Sequence, residues 1–238
     1  MSVSGRSALH DALARQGAQF DERTAYMIPA DFGDDAGEVA ALREAAGLVD
    51  QSFRIKLALY SSDMAAPFAT LAPGAAAPEP NRASVAFSGG GPLSGLGPFQ
   101  ALGMTLDEAL LIFADPPRDR FVLTAGAEPP GMVMVDVTSA YCDMLVSGPA
   151  ARGVLARLAD IDLRAESLPD RALAQCPVAG VRCIVLRQDR PAGGDGFTVL
   201  APREFGEFVF DALMTAGGPL GLRLVGRRAL QSTGGQDT

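Results

Sequence analysis

Hydrophobic positions recur along this chain with two different periods, and the switches between them mark out its elements. Phe53, Ile55, Leu57 and Leu59 alternate with polar or small residues, which is the two-residue period of a half-buried strand. Shorter runs of strand character lie at 106–113, 120–124, 133–137, 143–146, 181–186, 197–201 and 220–225. The first two flank Pro116-Pro117-Arg118-Asp119 and read as a hairpin. Helical spacing is found at 7–20, carried by Leu9, Leu13 and Phe20, and at 38–46, which Gly47 closes. Further helices are predicted over 63–71, 149–158 and 204–216. In the fourth, Ser147 is a candidate N-cap and Pro149 falls in the first turn.

Between residues 73 and 98, eleven positions are Pro or Gly and no period is sustained, so this stretch predicts an exposed loop. From Asp143 to Val225 the order strand, helix, strand, strand, helix, strand predicts a ferredoxin-like split β-α-β unit. The whole reads as α+β, with one half over 1–135, a ferredoxin-like half over 136–230 and a polar, Gly-rich tail over 231–238. Leu155, Leu158, Phe197, Val199, Phe208 and Leu213 occupy the apolar phase of their elements and are expected to share one core.

Composition narrows the function more than the fold. The net charge is -8, and Lys56 is the only lysine among twenty basic residues, so no basic face is available for nucleic acid. No apolar run approaches the roughly 20 residues needed to cross a bilayer, and residues 1–10 have no apolar signal core. A cytoplasmic location without membrane partners is the expectation. Cys142, Cys176 and Cys183 are odd in number and lack CxxC spacing, which predicts buried thiols rather than a disulfide or metal site. His10 is the only histidine, which argues against a catalytic triad or a histidine-based metal centre. Gly89-Gly-Gly-Pro and Gly95-Leu-Gly-Pro do not open a helix in a phosphate-binding pattern and read as loop.

Five motifs in one order, one of them a pair of segments, carry a family resemblance. They are 7–20 (SALHDALARQGAQF), 42–50 (LREAAGLVD), 102–110 (LGMTLDEAL), the pair formed by Val146-Ser-Gly-Pro-Ala-Ala-Arg-Gly-Val-Leu and Gly196-Phe-Thr-Val-Leu-Ala-Pro, and 225–230 (VGRRAL). Together they resemble the glycine cleavage T protein (aminomethyltransferase) folate-binding superfamily, and the part after Asp136 is also similar to the small gamma-type subunit of heterotetrameric sarcosine oxidase. The resemblance implies an aminomethyltransferase folate-binding-like fold and tetrahydrofolate as cofactor. The family's T proteins carry a further barrel domain after the matched region, where only residues 231–238 follow here.

The same resemblance assigns the candidate residues. The family's paired acids align with Asp107 and Glu108, the second being the catalytic one, and Glu108 is expected to orient or accept a proton at a bound amine or folate nitrogen. Because the two are adjacent on a predicted strand, only one can face a given pocket. Tyr26 stands where the family has an aromatic and is expected to line the pterin slot. Thr198 replaces the folate-contacting acid and Thr124 replaces an asparagine, so folate affinity is expected to be weak. Arg227 and Arg228 are candidates for the anionic folate tail. Two functions follow: a one-carbon protein that binds, or once bound, tetrahydrofolate, with transfer resting on Glu108, or a non-catalytic folate-fold subunit packed against a larger oxidase or transferase chain. An assembly-factor type of the same superfamily ranks last, because its KGCYxGQE stretch has no counterpart around the cysteines.

Overall fold

A computed structural model describes residues 5–21, 26–84, 87–88, 93, 96–114, 126, 128–189 and 194–234. The chain opens with α1 (His10–Arg15), β1 (Gln19–Asp21), β2 (Ile28–Asp31), α2 (Asp35–Glu44) and β3 (Ala46–Asp50). There follow β4 (Lys56–Tyr60), α3 (Ala65–Leu71), β5 (Phe87–Ser88), β6 (Pro98–Gly103), β7 (Glu108–Phe113) and β8 (Val133–Asp136). The last part contains β9 (Tyr141–Gly148), α4 (Ala151–Leu155), β10 (Leu173–Val178), β11 (Val181–Arg187), β12 (Asp195–Pro202), α5 (Gly206–Gly217), β13 (Leu222–Leu224) and α6 (Arg227–Ser232).

These elements form two compact units. One consists of Met1–Phe53 with Ser139–Gln236, the other of Arg54–Thr138. The chain therefore crosses between units twice, at 53/54 and at 138/139, rather than once near residue 136. Its first fifty residues join the C-terminal segment because β3 pairs with β9 and β13 there.

The first unit is built on a six-stranded sheet of order β10-β11-β12-β9-β3-β13. With β9, β11, β12 and β13 taken as strands one to four, the order is that of the predicted split β-α-β unit, and β3 is inserted between the first and the fourth. β9 lies antiparallel to β12 and β12 to β11, while β13 runs parallel to β3. On one face Phe197, Val199, Met144, Val146 and Val185 are buried with Leu13, Leu155, Val209, Phe210 and Leu213 from the helices. Each such side chain contributes on the order of 1.5–3 kcal/mol of transfer free energy. On the other face Leu42 and Ala41 of α2 and Ala229 and Leu230 of α6 pack against Val49, Leu145 and Val225. α2 starts where Asp34 accepts the Gly37 backbone N–H at 3.0 Å, with Asp35 and Glu38 in the first turn and Arg43 in the last, as the helix dipole favours.

The second unit is a five-stranded antiparallel sheet of order β5-β6-β7-β4-β8. One face packs Leu57, Leu59, Leu111 and the tilted pair Phe99 and Phe113, 5.3 Å between centroids, against Phe68 and Leu71 of α3. β6, absent from the strands predicted above, pairs along β7 through a turn at residues 104–107. Its end at Gly103 lets the Pro78–Glu79 backbone approach more closely than a Cβ would allow.

Several expectations need correction. Described residues of 73–98 are exposed at 73, 74, 76, 79–82 and 97 as expected, but they also run alongside β6, with bridges Pro80 to Gly103 and Ala83 to Leu102, and Leu93 is fully buried. Phe208 is 57% exposed, whereas its neighbours Val209 and Phe210 are buried. The apolar face of α5 is Gly206, Val209, Phe210 and Leu213, turned away from Phe205 and Phe208. Leu158 packs at the margin of the core rather than inside it. β4 is buried on both faces, Lys56 included, rather than half-buried. Leu106, expected in a strand, is 84% exposed at the tip of the turn before β7. The predicted second half of the 106–124 hairpin, with Thr124, lies outside the described residues.

Candidate functional site

The candidate residues divide between the units: Tyr26, Thr198 and Arg227 belong to the first, Asp107 and Glu108 to the second.

Glu108 opens β7 and stands directly opposite Tyr60 of β4. The Tyr60 hydroxyl donates to the Glu108 carboxylate, and the phenol pKa is raised by partial burial first, then by the Glu108 charge and by this bond. Asp107 precedes the strand rather than lying on it, so the expected division between two strand faces does not arise. Its carboxylate accepts the Thr105 hydroxyl at 2.6 Å and its carbonyl accepts the Ser61 N–H at 3.0 Å. Asp107 thus holds the turn, and Glu108 is the acid that reaches a neighbouring strand. A carboxylate and a phenol in one hydrogen bond can accept or relay a proton.

Thr198 lies in the middle of β12, flanked by Leu145 and Leu186, and is buried. Its hydroxyl donates to Gln188 Oε1 at 3.4 Å, a long bond. One residue along the ladder, Arg187 is buried with its guanidinium engaged by Asp189 at 2.8 Å, Asp195 at 3.0 Å and the Leu168 carbonyl at 3.0 Å. Asp195 also holds Arg152 at 2.8 Å. The ion pairs engage the charges of this cluster, and the partner of the Thr198 hydroxyl itself is an amide oxygen rather than a carboxylate. The residues present fit tetrahydrofolate only in part.

Arg227 begins α6, with its guanidinium carbon 5.5 Å from the centre of the Phe53 ring, a cation–π arrangement. Its neighbour Arg228 pairs with Asp31. Tyr26 is half-buried and bridges to Gly5.

Sequence reasoning missed a polar group at the end of β3. Asp50 is buried and accepts the Ser7 hydroxyl at 2.6 Å, the Ser52 hydroxyl, and the Ser52 N–H at 3.0 Å. The Ser52 hydroxyl in turn accepts the Asp143 N–H at 3.0 Å. Burial raises the Asp50 pKa, the hydroxyls of Ser52 and Ser7 pull it down, and Asp143 pushes it up. The one available signal was the Asp-x-Ser spacing of an Asx turn. Among the described residues no group of three or more metal-ligating side chains exists, and no helix is long and apolar enough to cross a membrane.

Residues 113–233 match the GCVT N-terminal domain family. An aminomethyltransferase of Geobacillus kaustophilus is 30% identical over 220 residues, covering 89% of this chain and 58% of that protein. One from Desulforamulus reducens is 26% identical over 231 residues, covering 93% and 60%. The chain thus spans about three fifths of the length of these relatives. Among solved structures, the glycine cleavage system aminomethyltransferase T of Bartonella henselae superposes with a TM-score of 0.76 at 17% identity, over 97% of this chain and 62% of the other. A chain of the heterotetrameric sarcosine oxidase of Corynebacterium sp. U-96 gives 0.60 at 18% identity, over 91% of this chain and 96% of the other. At such identities the likeness is one of fold.

Proposed function

The chain belongs to the GCVT N-terminal domain family, and from that premise we propose that it is a one-carbon protein of the cytoplasm that binds tetrahydrofolate weakly. The observation that carries the reading is Thr198: where the resemblance places the pterin-contacting acid, this chain has a buried hydroxyl turned toward Gln188. A carboxylate pairing with pterin N–H groups makes charge-assisted bonds worth about 1.5–3 kcal/mol, which a hydroxyl does not replace. Affinity is therefore about tenfold to a hundredfold below that of a member carrying the acid. Tyr26 and Arg227, both of the first unit, line the ligand in this reading. Whatever transfer activity the protein has rests on Glu108, steadied by Tyr60, and Asp107 shapes the turn that presents it.

Isothermal titration with tetrahydrofolate tests the proposal. Weak binding that strengthens in Thr198→Glu, with circular dichroism verifying the fold of the variant, is expected. Glu108→Ala is expected to abolish any aminomethyl transfer and leave the fold intact. Tight binding by the unmodified protein would show that another residue reads the pterin.

A second reading, a non-catalytic subunit beside a larger oxidase or transferase chain, is favoured by the nearly end-to-end coverage of the sarcosine oxidase chain. Absence of folate binding in both the unmodified protein and Thr198→Glu supports it. The direct test is co-expression with the chains encoded beside it, followed by analytical ultracentrifugation. A monomer in every combination rejects the subunit reading.

A further inference from the structure

The hairpin of β10 and β11 places two of the three free cysteines opposite each other: Cys176 pairs with Cys183 in the antiparallel register. Directly opposed residues in such a ladder have Cα atoms about 4.5–5.5 Å apart, inside the roughly 4.4–6.8 Å that a disulfide spans. Both side chains lie in the same core cluster and are therefore on the same face. The third thiol is out of reach. Cys142 is on β9, and β12 separates that strand from β11, so it stands about 9.6 Å away across two strand spacings.

The geometry points to Cys176 and Cys183 as a reversible dithiol site, closed to a cross-strand disulfide by hydrogen peroxide. Cys176 is the entry point, because β10 is the outermost strand of its sheet. Among the described residues, its free edge is met by residues 158–160: the Asp160 N–H donates to the Pro177 carbonyl at 3.2 Å, the Ala179 N–H donates to the Leu158 carbonyl at 2.8 Å, and Ala159 bridges to Val178. An edge segment held this thinly opens at lower cost than the sheet behind it. Pro177 adds no N–H of its own to the ladder.

The chemistry balances in two steps. The Cys176 thiolate attacks one oxygen of peroxide, the O–O bond breaks, a sulfenic acid forms, and the departing hydroxide takes up the proton that the thiol released to give water. The Cys183 sulfur then attacks the Cys176 sulfur and expels the oxygen as a second water, so that two thiols and one peroxide give one disulfide and two waters. Burial makes both steps slow, since it raises both thiol pKa values, that of Cys183 to about 12. The site therefore answers sustained rather than transient oxidant.

The test uses the full chain as folded. After exposure to excess peroxide, unfolding and alkylation, one of the three thiols reacts instead of three. The intact mass falls by two hydrogens before alkylation, and peptide mapping joins Cys176 to Cys183. A dithiol reductant restores all three. In Cys183→Ser no resolving thiol remains, and a dione reagent traps the sulfenic acid at Cys176. Three reactive thiols after oxidation, a bond to Cys142, or direct passage to the sulfinic acid without a crosslink would each overturn the assignment.

Discussion

Glu38 and Gly226, 188 residues apart in the chain, are joined by one hydrogen bond of 2.7 Å, in which the Gly226 N–H donates to the Glu38 carboxylate. The other carboxylate oxygen accepts the Phe32 N–H at 2.6 Å. Glu38 is buried, so a single side chain on α2 satisfies two backbone donors, one after β2 and one at the N-cap of α6. Truncating it leaves both donors unpaired, at about 1–3 kcal/mol each. Glu38→Ala is expected to lower the unfolding free energy by roughly 2–5 kcal/mol in urea denaturation. Glu38→Gln keeps one acceptor and loses less.

The corrected phase of α5 predicts a contrast between adjacent aromatics. Phe210→Ala, at a buried position, is expected to cost roughly 3–5 kcal/mol. Phe208→Ala, at an exposed one, costs less than about 1 kcal/mol. Equal losses in thermal denaturation would contradict the observed face of the helix.

Asp50 gives the stability a pH dependence of known sign. Its native pKa lies above the ordinary carboxylate value, chiefly through burial. The folded state therefore holds the proton more tightly than the unfolded one. The contribution of this group is fully present below about pH 4, where even the unfolded carboxyl is protonated, and is lost as pH rises through the native pKa. Asp50→Asn removes this dependence. Unfolding free energies of the two proteins, measured from pH 4 to 8, are expected to differ by an amount that changes with pH in that direction. A constant difference would refute the assignment.

The β10–β11 hairpin turns on Ala179 and Gly180, with φ of 51° and 80°. This is the paired left-handed geometry that Asn-Gly favours in two-residue loops. Alanine in that region is strained by about 1–2 kcal/mol. Ala179→Asn is expected to raise the stability by roughly 1 kcal/mol, read as a higher midpoint in urea. A lower midpoint would show that the turn needs alanine for another reason.

How far the sequence disclosed this depended on which force shaped each element. β9, β11 and β12 were legible because dense apolar runs leave few alternatives to a buried strand, and their order with α4 and α5 was sufficient to predict the split β-α-β arrangement. β3 was not, because Gly47 reads as a helix stop. In the fold Gly47 lies inside the strand, where a Cβ would crowd Leu42 and Val225, so its small size serves the packing of α2 on the sheet. β10 was hidden by Pro177, which an edge strand tolerates. Among the candidate residues, the Tyr60 partner of Glu108 and the Gln188 partner of Thr198 come from strand register, which one-residue periodicity does not encode. Asp50 was invisible for a different reason, since a carboxylate closing a strand gives no sign of burial until the serines that hold it are placed.

The position of β3 sets a timetable for the newly made chain. Its two neighbours are β9 and β13, the first and the last strands of the segment after residue 138. On the ribosome this strand emerges early and then waits, with at least one edge open, until β13 at Leu222–Leu224 has been synthesised. The stretch Arg54–Thr138 is continuous and meets no such delay. Slow or interrupted translation between β3 and β13 would leave the apolar Leu48 and Val49 without their full set of strand partners, where pairing with the wrong strand competes with the right one.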